Sequence, residues 1–406
     1  MKTAQSQVNV KELKTVISHI INTNKNIQTK GITPIALNVV GPAGLGKTST
    51  IQQTALDMGF KKENIVKLSL STLDEIGDLI GIPVEEYKMI KKVKKEGQPD
   101  EVKELWVKEA AINSYSKAGY VVTNKSRMAY STPEWIEGKT GPGVLILDDY
   151  TRASQRFTQA VMELVLCQEY ASWKLPEGWT ILLSSNPDDG MYNVTDQDAA
   201  QKSRYMNVNL GWDATIWAEW AEKNGIDGRC INFVLLNKEI VKDETPEVNA
   251  RSITLFFNAI SSIKDFNSNL PMIQLLGEGS LGVEVTTMFT SFIHNKMDKL
   301  ITPEEIFDTN KNFSEIETAL KDLVKSGTDY RADIAYVLTT RMLNYIEFSI
   351  KDSQITDKLL NRIEELVLAN CLGSDLKFVL GRRISNLNTK YNSLLMREAF
   401  VDTILE

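Results

Sequence analysis

Histidine and cysteine are scarce in this chain, and their scarcity removes several chemistries at the outset. Among 406 residues there are two histidines, His19 and His294, and three cysteines, Cys167, Cys230 and Cys371. Neither histidine stands near another candidate ligand in the sequence, so a His/Cys metal centre is not expected. The cysteines are far apart and odd in number, which suits a reducing compartment and argues against a disulfide framework. No stretch approaches the roughly 18 apolar residues that cross a bilayer, and the opening MKTAQSQVNVKELK has no apolar core of the secretory-signal type. The expectation is a soluble protein of the cytoplasm (the host cytoplasm for a viral chain) with no membrane partner. Positive charge is not in excess either. The net charge is −7, which gives no global footprint for nucleic acid and leaves only a local basic groove as a route to it. With 42% hydrophobic and 24% charged residues the composition is that of an ordinary globular protein with room for two or three domains.

What the chain does have is a phosphate-loop pattern. Gly41, Pro42, Ala43, Gly44, Leu45, Gly46, Lys47, Thr48 and Ser49 read GPAGLGKTS, which fits G-x-x-x-x-G-K-[ST]. An apolar run at 35–40 precedes it and a helix-like segment at 48–58 follows. The glycines let backbone N–H groups turn inward around phosphate oxygens, Lys47 supplies a point charge for the β and γ phosphates, and the Thr48 hydroxyl can ligate Mg²⁺. A helix that starts there points its positive end at the anion. ATP and Mg²⁺ are the cofactors this implies.

The arrangement of apolar runs predicts the rest of the architecture. Residues 8–28 read as an amphipathic helix, with Val8, Val10, Leu13, Val16, Ile17 and Ile20 at helical spacing. Short apolar strands are expected at 35–40, 65–70, 144–147, 180–183 and 206–210, with helical patterns between them, so the fold class is α/β with a mostly parallel sheet. After Gly211 the pattern is helical, clearest at 217–222, 251–263 and 283–294. It continues in a stripe of Ile334, Val337, Leu338, Met342, Tyr345 and Ile346. The expected organisation is an N-terminal helix at 1–31, a nucleotide-binding α/β domain at 32–210, a helical lid at 211–300 and a helical C-terminal region at 301–406. The stretch 83–135 departs from a sheet domain. It is long, charged and helical in propensity, and it reads as a solvated helical insertion. Its lysines Lys88, Lys91, Lys92, Lys94 and Lys95 are balanced by Glu85, Glu86, Glu96, Asp100, Glu101 and Glu104.

Two further segments complete a candidate phosphoryl-transfer site. GVLILDDY at 143–150 is an apolar strand ending in Asp148 and Asp149. A buried parallel strand presents its carboxyl end where ligands bind, so Asp148 is placed to hold the metal with Thr48 and Asp149 to polarise an attacking water. WTILLSSNPDD at 179–189 is a strand ending in Asn186, whose amide can orient that water. Arg204 precedes the last strand and Arg251 begins a helix. Both are candidates for neutralising phosphate charge, Arg204 across a subunit boundary.

These pieces, in this order, resemble an AAA+ ATPase of the MoxR-like branch, the dynein-related type of AAA domain. STLDEIGDLIGIP at 71–83 resembles the segment after the family's second strand. LDDYTRASQRFTQAVMELV at 147–165 resembles its LDEINRA box. EYASWKLPEGWTILLSSNPDD resembles the hairpin and third-motif strand of such proteins from bacteria and their phages, and NARSITLFFNAI resembles the lid segment. The likeness covers roughly 30–300. It implies a P-loop AAA+ parallel-sheet domain followed by a helical lid. The phosphate binders would be Gly41, Gly44, Gly46, Lys47, Thr48 and Ser49, with Asp148 on Mg²⁺ and Asn186 as first sensor. Arg204 would be an arginine finger acting on the neighbouring subunit, and Arg251 a second sensor. It further implies a homo-oligomer, commonly a hexameric ring, that remodels a protein client and works with von Willebrand A domain partners in a chaperone role. Two positions depart from the family pattern: Asp149 stands where Glu is usual, and Tyr205 follows the finger where Phe is usual. A nucleic-acid motor and a nucleotide-gated scaffold with little hydrolysis are the rival readings, the first resting on the lysines at 88–95 and the second on Asp149.

Overall fold

A six-stranded parallel sheet organises the first half of the chain. The computed structural model describes residues 6–93, 101–242, 247–295, 297–326, 329–369 and 371–405. In chain order the first unit contains β1 (Gln7–Val8), α1 (Val10–Gln28), β2 (Ala36–Val40), α2 (Lys47–Asp57), β3 (Ile65–Ser69) and α3 (Ile76–Ile80). It continues with β4 (Pro83–Val93), β5 (Glu101–Lys108), α4 (Ile112–Lys117), β6 (Val121–Tyr130), β7 (Gly143–Asp148) and α5 (Gln155–Cys167). The last elements are β8 (Glu169–Tyr170), β9 (Trp173–Lys174), β10 (Trp179–Ser185), α6 (Ala199–Lys202) and β11 (Tyr205–Leu210). The sheet order is β1-β11-β2-β10-β7-β3, parallel throughout. Strands β7 and β10 are buried along their whole length, as continuous apolar runs in a sheet covered on both faces must be. The α/β expectation holds: this is a P-loop α/β domain followed by a helical region.

The N-terminal segment belongs to this unit. Asn9 caps α1 by accepting from the Lys11 and Glu12 amides, while Glu12 reaches back to the Asn9 amide, a closed capping box. Leu13, Ile17, Ile20 and Ile21 bury the apolar face that the helical spacing foretells. Asn24, only 1% exposed, anchors the helix to the sheet. It donates to Ile35 O at 2.9 Å and to Thr180 Oγ1 at 3.2 Å, and it accepts from the Ile35 amide at 2.8 Å.

The insertion corrects the sequence-based expectation. In place of a helical excursion, β4, β5 and β6 form an antiparallel three-stranded sheet in the order β5-β4-β6, with a 3₁₀ turn at Glu109–Ala111 and the short α4 between β5 and β6. Lys and Glu favour helix only weakly, and pairing overrides that preference. Two ion pairs run across the strands: Lys88 meets Glu104 at 2.6 Å and Arg127 meets Glu86 at 2.9 Å. Lys94, Lys95, Glu96 and Asp100 lie outside the described residues.

The second compact unit begins at Trp212, and the first ends at Gly211. It is built from α7 (Ala214–Lys223), α8 (Gly228–Leu236), α9 (Ala250–Ile260), α10 (Leu270–His294), α11 (Pro303–Ile306) and α12 (Phe313–Val324). After the short hairpin of β12 (Lys325–Ser326) and β13 (Asp329–Tyr330) come α13 (Ala332–Phe348), α14 (Asp357–Leu368), α15 (Ser374–Ser385) and α16 (Glu398–Leu405). One apolar core extends from Ala214 to Phe400, with Phe233, Phe256, Phe257, Phe266 and Phe289 all buried in it. Phe289 sits edge-on to Phe233 and Phe256, with ring centroids 4.9 and 5.3 Å apart.

Candidate functional site

The carboxyl ends of three neighbouring strands converge. β10 lies between β2 and β7, so the residues that follow Val40, Leu147 and Ser185 share one edge of the sheet. Gly41 continues the ladder, its amide donating to Ser185 O at 3.2 Å. The loop then turns through Gly44 and Gly46, both at positive φ, and Gly46 caps α2 with φ of 83°. A side-chain-bearing residue reaches that conformation only with strain, which is why the pattern asks for glycine there.

Lys47 is 8% exposed and folds back over the loop. Its ammonium donates to Gly41 O at 2.7 Å, to Pro42 O at 3.0 Å and to Asn186 Oδ1 at 3.2 Å. Asn186, 5% exposed, is fixed in turn by its backbone N–H donating to Thr151 Oγ1 at 3.3 Å. Thr48 Oγ1 donates to Asp148 Oδ1 at 2.6 Å. Lys67 Nζ lies 2.9 Å from Asp148 Oδ2. Burial of Asp148 opposes ionisation. Hydrogen bonds from Thr48, Lys67 and Ser184, together with the Lys67 charge, outweigh it and hold the carboxyl below the usual carboxylate range. Thr48 and Asp148 offer hard oxygen donors side by side, a set that fits Mg²⁺. Among the described residues no group of three or more His, Cys, Asp or Glu gathers, so a metal here would draw its remaining ligands from phosphate and water.

Asp149 leaves the strand. Its backbone is left-handed, with φ of 53° and ψ of 36°, and its amide-to-carbonyl turn starts the short 3₁₀ segment Tyr150–Arg152. Asp enters this region more readily than Glu does. The geometry therefore offers a backbone reason for the shorter acid at this position.

Arg204 is not gathered with Lys47, Thr48, Asp148 and Asn186. β11 runs parallel to β2 with Tyr205 beside Ala36, so Arg204 enters the sheet at the end away from Gly41. Its Nη1 donates to Ala200 O in the preceding helix α6, and its Nε is buried without a hydrogen-bond partner. Next to it, burial pushes the Tyr205 phenol up to about 12, against the hydrogen bonds to Gln197 and Tyr150. Arg251 belongs to the helical unit. It is exposed in the first turn of α9, where its amide donates to the Asn249 cap at 3.0 Å.

Sequence reasoning missed two residues here. Lys67 comes from the neighbouring edge strand, and no motif marks it. Tyr192 lies on the loop after Asn186, and its hydroxyl accepts from the Ala43 amide at 3.2 Å, inside the phosphate loop. That loop is tied down by Thr195, which donates from its amide to Thr151 O at 2.7 Å and from its hydroxyl to Ala153 O at 2.9 Å. An aromatic residue just beyond a strand-end Asn is a weak signal that could have drawn attention to Tyr192.

No protein-family model matches the chain, and no curated protein matches it. Solved structures do resemble its fold. A mutant of RuvB from Thermotoga maritima is 11% identical, covering 72% of this chain and 79% of that one with a TM-score of 0.36. A DNA polymerase III gamma subunit-related protein from Thermotoga maritima is 14% identical over 95% of this chain and 99% of its own, with a TM-score of 0.27. NtrX from Brucella abortus, in complex with ADP, is 11% identical over 73% of this chain and 69% of its own, with a TM-score of 0.34. Likenesses this low carry no functional argument.

Proposed function

We propose that the chain is a Mg²⁺-dependent ATP hydrolase of the AAA+ type. One observation carries the reading: Lys47 is held between the phosphate loop and Asn186, 3.2 Å from the amide oxygen, while Thr48 and Asp148 meet at 2.6 Å on the same sheet edge. A lysine, a hydroxyl–carboxylate pair and an amide at strand ends are the parts that phosphoryl transfer needs, because the protein there mostly positions and neutralises. In this reading the amides of 41–49 cradle the phosphates and Lys47 turns from its carbonyl partners to the β and γ oxygens. Thr48 and Asp148 would hold the metal, and that metal would supply positive charge to offset the charge of the phosphates. Asn186 orients the attacking water and Asp149 polarises it.

Arg204 is then the arginine finger for a neighbouring subunit. The support is its placement at the opposite end of the sheet from Gly41, which makes service to its own site unfavourable. The chain accordingly works as a ring, with a hexamer as the proposed state, and Arg251 serves as second sensor. The proposal extends to a MoxR-like role: remodelling a protein client, with a von Willebrand A domain protein as partner, in the cytoplasm. No helix among the described residues is long and apolar enough to cross a membrane. A nucleic-acid motor is disfavoured because two of the three described lysines of β4 are engaged locally. Lys88 pairs with Glu104, and Lys91 donates to Ala118 O at 2.6 Å and lies over the Tyr120 ring.

The test is ATP hydrolysis against protein concentration, with and without Mg²⁺, beside a Lys47→Ala variant measured for ATP binding. Turnover that needs Mg²⁺ and rises steeply with concentration is expected, with tight binding lost in Lys47→Ala. Unchanged ATP affinity in that variant would sink the site assignment. ATP binding in wild type with no turnover in the assembled state would leave the scaffold reading in its place.

A further inference from the structure

Lys67 is not part of the nucleotide signature, yet its ammonium touches the metal-binding carboxylate. It sits mid-strand in β3, in register with Ile146 of β7, and its side chain crosses to Asp148 Oδ2 at 2.9 Å. The carboxylate therefore has one oxygen on the Thr48 hydroxyl at 2.6 Å and the other on a lysine. Asp148 is 12% exposed in its side chain and Lys67 39%, so this pair is less screened than a surface ion pair. A purely structural account has Lys67 neutralising a buried charge and nothing more. Any divalent cation served by Thr48 and Asp148 would meet a fixed positive charge that already holds one of its ligand atoms.

We infer that Lys67 sets the divalent-cation affinity of the site, by competing for Asp148 Oδ2 and by repelling the incoming cation. The cation alone binds weakly, and the negative charge of the nucleotide phosphates offsets the lysine, so cation and nucleotide bind as a pair. Lys67 is in this sense a positioning residue acting through Asp148. The inference rests on the nucleotide-site reading above.

The experiment uses the full chain and two binding readouts that do not depend on turnover. Binding of a fluorescent ATP analogue is followed as Mg²⁺ is titrated, and Mn²⁺ binding without nucleotide is followed by electron paramagnetic resonance of the free ion. Loss of a like charge beside the cation should lower the half-saturating Mg²⁺ concentration about tenfold in Lys67→Met and tighten Mn²⁺ binding by a similar factor. Lys67→Arg keeps the charge and should stay within about twofold of wild type. A folded Lys67→Met chain with unchanged or raised half-saturation overturns the inference, because a merely structural lysine would lower the melting temperature and leave the titration alone. Lys67→Gln gives the same reading if the Met variant does not fold. Failure of the underlying nucleotide reading appears separately, as analogue binding that Lys47→Ala does not weaken.

Discussion

At Gly41 there is no room for a side chain: a Cβ would stand 2.7 Å from the backbone oxygen of Leu210 in β11. The obstacle is main chain in a central sheet, so it cannot swing aside as a side-chain tip would. Gly41→Ala is expected to cost about 1–3 kcal/mol of stability through overpacking, measured by denaturant unfolding. Loss of nucleotide binding should accompany it, since the phosphate loop starts there. Asp149 poses a different constraint. Its φ of 53° is a conformation Asn shares with Asp but Glu adopts reluctantly. Asp149→Asn should therefore fold as wild type does and lose ATP turnover by about 10²-fold or more, if the carboxylate is the base. Asp149→Glu should lose roughly 0.5–1 kcal/mol of stability from the backbone alone. Turnover in Asp149→Asn equal to wild type would remove this residue from the mechanism. The glycines and the loop lysine were readable from the sequence because the phosphate loop is a local motif, with every participant within nine residues of the next. Lys67 and Tyr192 were not, because each reaches the site from a separate strand or loop, and no local spacing records that approach.

Elements were legible where periodicity had a single cause. α1 buries one apolar face, β2, β7 and β10 are buried along nearly all of their length, and these elements, with β3 and β11, fall where the apolar runs place them. The insertion was misread because β4 is a central strand lined with Lys and Glu, whose partners on β5 and β6 lie outside any local window. α10 holds a second surprise. Gly282 breaks it with φ of 74° and ψ of 171°, a region essentially confined to glycine. Gly282→Ala is expected to destabilise the helical unit by about 1–3 kcal/mol, although open space surrounds the position. A thermal melt equal to wild type would mean that the helix simply straightens.

In the helical unit as a whole, a buried polar group ties α7, α8 and α13 together. Arg341 donates to Glu222 Oε1, to Gly228 O and to Asn232 Oδ1, each at 2.8 Å. Burial raises the Glu222 carboxyl above its usual range, against the pull of Arg341. A carboxyl raised on folding contributes stability that is full below its unfolded pKa of about 4.3 and is lost as pH rises through the folded value. Removing the arginine leaves the carboxylate unpaired and raises it further. Arg341→Met should therefore cost about 3–5 kcal/mol at neutral pH and distinctly less near pH 4, read by denaturant unfolding at both. A pH-independent loss would mean that packing of the arginine stem, not the charge, is what matters. Assembly is tested at the same scale. Arg204→Ala should bind ATP and lose most turnover, and mixing it with Lys47→Ala should restore part of it, because each variant supplies what the other lacks across a shared boundary. No recovery in mixed assemblies would count against action in trans.

The phosphate loop, the strand-end carboxylate and amide, the alternation of strand and helix in the first half and the helical character of the second were all legible in the linear chain. Each of these is written in contiguous residues, through glycine's backbone freedom or through apolar periodicity. Tertiary structure alone decided that the insertion is a sheet and that Asn186 holds Lys47. It also decided that Lys67 shares Asp148 with Thr48 and that Arg204 stands at the other end of the sheet from Gly41. These depend on register between strands distant in the chain, and register is set by the packing of the sheet as a whole, not by any one segment.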